Sequence, residues 1–143
     1  MPKHTGSAHW EGTLQEGTGS VSTGTGVLSE QPYGFNSRFE DGTNTNPEEL
    51  IAAAHAACFS MAFSMILGQH DLTPDSIDTK ATASLEKDGD GFAIKSIHLD
   101  ITAKIPGADE ETFQKAANAA KEGCPVSKAL AGVSEITLDA KLA

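Results

Sequence analysis

The run from Thr45 to Gly68, TNPEELIAAAHAACFSMAFSMILG, restricts the possible folds of this chain more than any other stretch. It opens as a helix: Asn46 suits the N-cap, Pro47 the first helical position, and Glu49 stands three residues after the cap as in a capping box. Glu48 and Glu49 put negative charge on the positive end of the helix dipole. From Leu50 to Leu67 the only clearly polar side chains are His55, Ser60 and Ser64. A helix apolar almost all the way round is either buried in a core or crosses a membrane, and this one is just long enough to cross. It is Ala-rich, has no Lys or Arg anchor at either end, and lies between strand-like segments. The expectation is therefore a buried central helix with Cys58 in its middle.

The rest of the chain supplies what such a helix packs on. Ala8, Trp10, Gly12 and Leu14 alternate with polar neighbours as in a half-buried strand. GTGSVSTGTGVL, residues 17–28, has the glycines of a nucleotide loop but no helix pattern after it, so it reads as a Gly/Thr/Ser-rich strand with bends. Residues 33–40 alternate too, with Tyr33, Phe35, Ser37 and Phe39 on one face and Gly34, Asn36, Arg38 and Glu40 on the other. Beyond the helix, Ala81, Ala83 and Leu85 start a strand that turns at DGDG, residues 88–91. The return strand carries Ile97, Leu99, Ile101 and Ala103 on one face and His98, Asp100, Thr102 and Lys104 on the other.

Asp109 caps a second helix with a Phe113, Ala116, Ala117, Ala120 stripe. Cys124-Pro125 then opens a short third helix, VSKAL, and Ile136, Leu138, Ala140 and Leu142 alternate in a last strand. The sum is an α+β domain with antiparallel sheet.

A chain of 143 residues is one domain with room for a real core. A formal net charge of −10 argues against nucleic acid, whose phosphates are met by cations, and against an anionic membrane surface. MPKHTGSAHWEG has no apolar h-region, so the expected compartment is the cytoplasm. Two cysteines there are reactive, metal-binding or plain buried thiols rather than a permanent staple.

Cys58 inside an apolar helix is by default inert, because burial disfavours the thiolate. To act as a nucleophile it needs a cation brought by the fold. Arg38, the only arginine, reads from sequence alone as a solvated strand side chain, since most arginines are exposed, yet it is the best candidate for that cation, with Glu48 or Glu49 to orient it. Cys124, as the N-cap of a short helix, faces free backbone N–H groups that favour thiolate. Local sequence alone does not decide which cysteine attacks. His55 and Cys58 stand three apart on one helix face, and Cys124 adds a third possible metal ligand, but there is no CxxC and no clear fourth. His55 reads as a hydrogen-bonded core histidine or a residue lining the thiol.

TNPEELIAAAHAACFSMA followed by GCPVSKAL resembles the OsmC/Ohr family of thiol peroxidases, with its OsmC branch the nearer match. The resemblance runs from AHWEG to EITLDAKL, and so covers residues 1–143 as a single OsmC/Ohr-like domain. It implies antiparallel sheets packed around a buried central helix in an intertwined homodimer, with two sites at the subunit interface. It implies a cysteine-based peroxidase of oxidative and osmotic stress defence. Such an enzyme reduces organic hydroperoxides, and more slowly hydrogen peroxide, to alcohols with a dithiol reductant and without cofactor or metal. By the resemblance, Cys58 attacks and becomes a sulfenic acid, and Cys124 closes a disulfide with it. Arg38 lowers the thiol pKa, and Glu48 rather than Glu49 holds that arginine. Ten helical residues advance about 15 Å and leave Glu48 and Cys58 roughly 80° apart, so Glu48, with Arg38, is expected to serve Cys58 of the partner chain. The competing reading is a non-catalytic stress-related protein that binds a metal or apolar ligand.

Overall fold

A computed structural model describes residues 1–143, which form two compact units, residues 1–50 and 51–143. In the first unit β1 (Gly6–Glu11), β2 (Thr18–Thr23) and β3 (Gln31–Tyr33) make an antiparallel sheet in that order. Trp10 and Tyr33 both pair with Gly19 across β2, and their rings meet over it at 5.6 Å between centroids. A Cβ on Gly19 would lie 2.5 Å from Trp10 and 2.7 Å from Tyr33, so only glycine allows this approach.

Residues 33–40 depart from the expected strand. The strand stops at Tyr33, and Phe35–Phe39 forms a one-turn helix, α1. The alternation was genuine, but contacts at helical spacing prevail over it. The Gly34 N–H donates to Ser37 Oγ at 3.0 Å, Asn36 Nδ2 donates to Glu40 at 2.8 Å, and Phe35 and Phe39 pack with centroids 4.9 Å apart. Asn46 Nδ2 donates to the Ser37 carbonyl at 3.0 Å, tying α1 to the start of α2 (Pro47–Gln69). Asn46 caps α2 as expected, its Oδ1 accepting the Glu49 N–H at 2.7 Å. The reciprocal arm of the box is replaced, because the Glu49 carboxylate accepts from the Thr45 hydroxyl at 2.8 Å.

In the second unit β4 (Ser76–Asp88) and β5 (Gly91–Lys104) form the expected hairpin, with Gly89 at φ +62° in its turn. The sheet is not wholly antiparallel. β6 (Glu135–Leu142) lies parallel to β5, which is central in the order β4-β5-β6. The physical reason is the connection: α3 (Glu110–Gly123) and α4 (Pro125–Ala129) intervene, and a crossover of that kind returns the chain in the same direction. Ile97, Leu99, Ile101 and Ala103 of β5 are buried, as are Phe113, Ala116, Ala117 and Ala120 of α3. Phe59, Phe63 and Leu67 of α2 complete this core, with Phe63 5.6 Å from Phe113 between ring centroids.

α2 is not buried all round within the chain. His55, Phe59, Phe63 and Leu67 form one buried stripe at a four-residue spacing, whereas Met61 and Met65 on another face are 77% and 62% exposed. A single three-stranded sheet and α3 can cover only one side of a helix. Its remaining apolar side is open in this chain.

Candidate active site

Two pairs of predicted residues come together, one in each unit. In the first, the Arg38 guanidinium forks onto Glu48: Nη2 donates to Oε1 at 2.9 Å, and Nε to Oε1 and Oε2 at 3.1 and 3.3 Å. This is the bidentate pairing that an ammonium cannot reproduce. Glu48 is buried and sits in the first turn of α2, where the dipole favours its charge. The Arg38 side chain is 38% exposed and lies 5.3 Å over the Phe39 ring. It also borders a cavity of about 270 Å³ whose other walls include Trp10, Leu14, Tyr33 and Phe35. The geometry therefore presents one fixed cation on an apolar, aromatic pocket.

The second pair is Cys58 and Cys124. Both are free thiols, Cys124 fully buried and Cys58 partly so. The Cys58 thiol is an electrostatic neighbour of Cys124, and the backbone N–H of Val126, at the start of the helix that Cys124 caps, acts on it as well. Cys124 is the N-cap of α4, as expected from Cys124-Pro125, and its sulfur accepts the Ser127 N–H at 3.3 Å. One turn of α4 thus serves both sulfurs. Burial pushes the Cys58 thiol up; the Val126 N–H opposes this, and Cys124, by hydrogen bond and charge, adds to the rise. None of these influences is a cation.

Ser127 is a residue that sequence reasoning missed. Its hydroxyl lies 3.2 Å from Cys124 Sγ and 2.7 Å from His55 Nε2. The available signal was the cap itself, because an N-cap at Cys124 puts Ser127 at N3, where the backbone turns back to the cap. His55 is wholly buried, and burial holds its pKa below the ordinary range, so the ring is neutral at pH 7. Its Nε2 is engaged by Ser127 rather than aimed with the cysteines at a common point. Trp10, Tyr33 and Phe35 of the aromatic pocket were likewise not singled out as lining residues.

On the sheet face away from the core, His98 Nε2 lies 3.3 Å from Asp100 and 3.2 Å from Asp139, and Thr137 meets its Nδ1. These three side chains have the composition of a cation site and equally of a surface ion-pair cluster.

Residues 40–139 match the family model described as OsmC-like protein. Peroxiredoxin OsmC of Escherichia coli (strain K12) is 57% identical over 137 residues, covering 96% of this chain and 94% of that protein. Organic hydroperoxide resistance protein OhrB of Bacillus subtilis (strain 168) is 34% identical over 123 residues, covering 86% and 89%. The crystal structure of OhrB from Bacillus subtilis superimposes with a TM-score of 0.67 at 29% identity, covering 97% of this chain and 98% of that one. An OsmC-like protein from Vibrio cholerae superimposes at 0.74 with 17% identity over 98% and 99%, a likeness of fold.

Proposed function

This chain belongs to the OsmC family, and from that premise we propose that it is a thiol-dependent peroxidase that reduces organic hydroperoxides to alcohols. The observation that carries the reading is that Cys58 and Cys124, two free thiols 124 − 58 = 66 positions apart in sequence, are brought together as electrostatic neighbours. Disulfide closure without backbone movement needs Cα atoms within about 7 Å, and two neighbouring free thiols are the pair to meet that condition. The Cys58 thiolate attacks the O–O bond, an alcohol leaves, and a sulfenic acid remains. Cys124 condenses with it to a disulfide, with loss of water, and an external dithiol reduces the disulfide.

Arg38, held by Glu48, is the cation that turns Cys58 from a buried thiol into a thiolate and stabilises the developing alkoxide. The pocket of Trp10, Leu14, Tyr33 and Phe35 beside it suits the apolar body of an alkyl hydroperoxide, with the peroxide group toward the guanidinium. Hydrogen peroxide lacks that body and reacts more slowly.

The working form is an intertwined homodimer of single OsmC/Ohr-like domains spanning residues 1–143. The open side of α2, with Met61 and Met65, is covered by the partner's central helix. Each site is composite, with Arg38 and Glu48 of one protomer serving Cys58 and Cys124 of the other. The protein works in the cytoplasm against oxidative and osmotic stress.

The test is one equivalent of an alkyl hydroperoxide added to reduced protein, followed by mass spectrometry. The expected product is an intrachain Cys58–Cys124 disulfide and one equivalent of alcohol. Sulfinic acid at Cys58 with Cys124 still free would remove the resolving role. No peroxide consumption, with a stoichiometric metal released only by chelator, would favour a binding protein instead.

A further inference from the structure

We infer that His55 and Ser127 are positioning residues for Cys124: His55 orients the Ser127 hydroxyl so that it donates to Cys124 Sγ and holds that sulfur ready to close the disulfide. The inference rests on Cys124 being the resolving thiol of the proposed peroxidase. It starts from a buried histidine that the peroxidase chemistry leaves unused. His55 Nε2 lies 2.7 Å from Ser127 Oγ, and Ser127 Oγ lies 3.2 Å from Cys124 Sγ, in one continuous buried chain.

The direction of the chain follows from the other ring nitrogen. Nδ1 is buried and meets no protein donor or acceptor. A buried N–H without a partner is rarer and costlier than a buried acceptor without one, so the proton of the neutral ring belongs on Nε2. Nε2–H then donates to Ser127 Oγ, which leaves the hydroxyl proton of Ser127 for Cys124 Sγ. Ser127 thereby gives the sulfur two donors, its hydroxyl at 3.2 Å and its backbone N–H at 3.3 Å. A hydrogen bond donated to sulfur is stronger when that acceptor carries charge than when it is neutral. Cys58 and, through Ser127, His55 are the titratable groups facing Cys124 Sγ in this network; Lys128 on α4 is turned to solvent.

The step served is fully balanced. The Cys124 thiolate attacks the sulfenic sulfur of Cys58, the S–S bond forms and the S–O bond breaks. The departing hydroxide takes up the proton that Cys124 had shed and leaves as water. Cys124 is oxidised and Cys58 is reduced, with no other reactant. After closure the two Ser127 donors face a neutral disulfide sulfur, so the same hydrogen bonds are weaker in the product.

The test uses Ser127→Ala, which removes the hydroxyl but keeps the backbone N–H, with Ser127→Thr as the rescue. His55→Gln is the second position. In each full-length protein, folding is checked by thermal melting. Rapid-mixing traces with an alkyl hydroperoxide then compare disulfide closure with sulfenic acid formation in the same experiment. Closure relative to sulfenic acid formation should fall about tenfold in Ser127→Ala, equivalent to about 1.4 kcal/mol, and should recover in Ser127→Thr. Over-oxidation of Cys58 should begin at lower peroxide.

A second arm needs no peroxidase activity. In a Cys58→Ser background, where Cys124 is the only thiol, ultraviolet thiolate absorbance is followed against pH. Ser127→Ala and His55→Gln should need higher pH to reach the same thiolate absorbance as the parent. Unchanged absorbance profiles and an unchanged closure ratio in both folded variants would overturn the inference. If the parent forms no disulfide while the absorbance arm still shifts, the peroxidase reading has failed and the hydrogen-bond assignment stands.

Discussion

Glu48→Ala is the most informative single perturbation, because its effects on stability and on activity can be separated. The substitution deletes the acceptor of three N–H···O contacts between 2.9 and 3.3 Å. Hydrogen bonds to charged groups contribute about 1.5–3 kcal/mol when buried. Glu48 is buried, but the Arg38 side chain is 38% exposed, and water can solvate its guanidinium once the carboxylate is gone. The lower end therefore applies, a loss of about 1.5 kcal/mol, which for a chain of this length lowers Tm by roughly 3–5 °C. Activity should fall further. A freed guanidinium no longer has one orientation, and removing a fixed electrostatic group at a reacting centre costs about 10²–10³ in kcat. The assay is steady-state reduction of an alkyl hydroperoxide with excess dithiol, alongside a thermal melt of the same sample. Glu48→Gln should recover most of the Tm and little of the activity, since an amide accepts hydrogen bonds but lacks the charge. If Glu48→Ala loses the expected stability yet stays within twofold of full activity, the ion pair is a structural clamp and the catalytic reading of Arg38 is wrong.

Three other outcomes are expected. Cys58→Ser should abolish turnover, whereas Cys124→Ser should reduce one equivalent of peroxide and then over-oxidise, as mass spectrometry of the two variants will show; continued turnover by Cys58→Ser would assign the attack elsewhere. Mixing inactive Cys58→Ser and Glu48→Ala chains under conditions of subunit exchange should restore activity, because each heterodimer then carries one intact composite site; a mixture that stays dead places the whole site in one chain. The third concerns pH. Burial first, and then Cys124, hold the Cys58 thiol above its ordinary range. Arg38→Ala should therefore be slow at neutral pH and gain rate as pH rises past the usual thiol range, in a stopped-flow pH series; a flat profile would separate Arg38 from thiol ionisation. The same shift has a stability consequence of fixed sign. A raised folded-state pKa adds stability that is full below the unfolded thiol's pKa and lost as pH climbs through the folded one, so in the Arg38→Ala background, where no cation offsets the rise, Cys58→Ser should flatten the alkaline fall in Tm.

Much of this molecule is settled by local chemistry. Asn46 and Pro47 start α2, Asp109 starts α3, and Cys124 with Pro125 starts α4, because caps are contacts between neighbours in sequence. The period-2 runs of β4, β5 and β6 likewise declare their buried faces, as Ile97, Leu99 and Ile101 illustrate. The motifs around Cys58 and Cys124 carry the family. Tertiary structure decided the rest. Residues 35–39 alternate like a strand yet coil into α1, because the Phe35–Phe39 and Asn36–Glu40 contacts exist only once the turn is made. β6 runs parallel to β5 because of where α3 and α4 return the chain, a direction that the alternation of Ile136 and Leu138 does not encode. The stripe of α2 that enters the core is likewise a matter of the neighbours that cover it, since its sequence is apolar on nearly every face. The Ser127 hydroxyl joins His55 to Cys124 across 127 − 55 = 72 positions of chain, and only folding brings those atoms within hydrogen-bond reach.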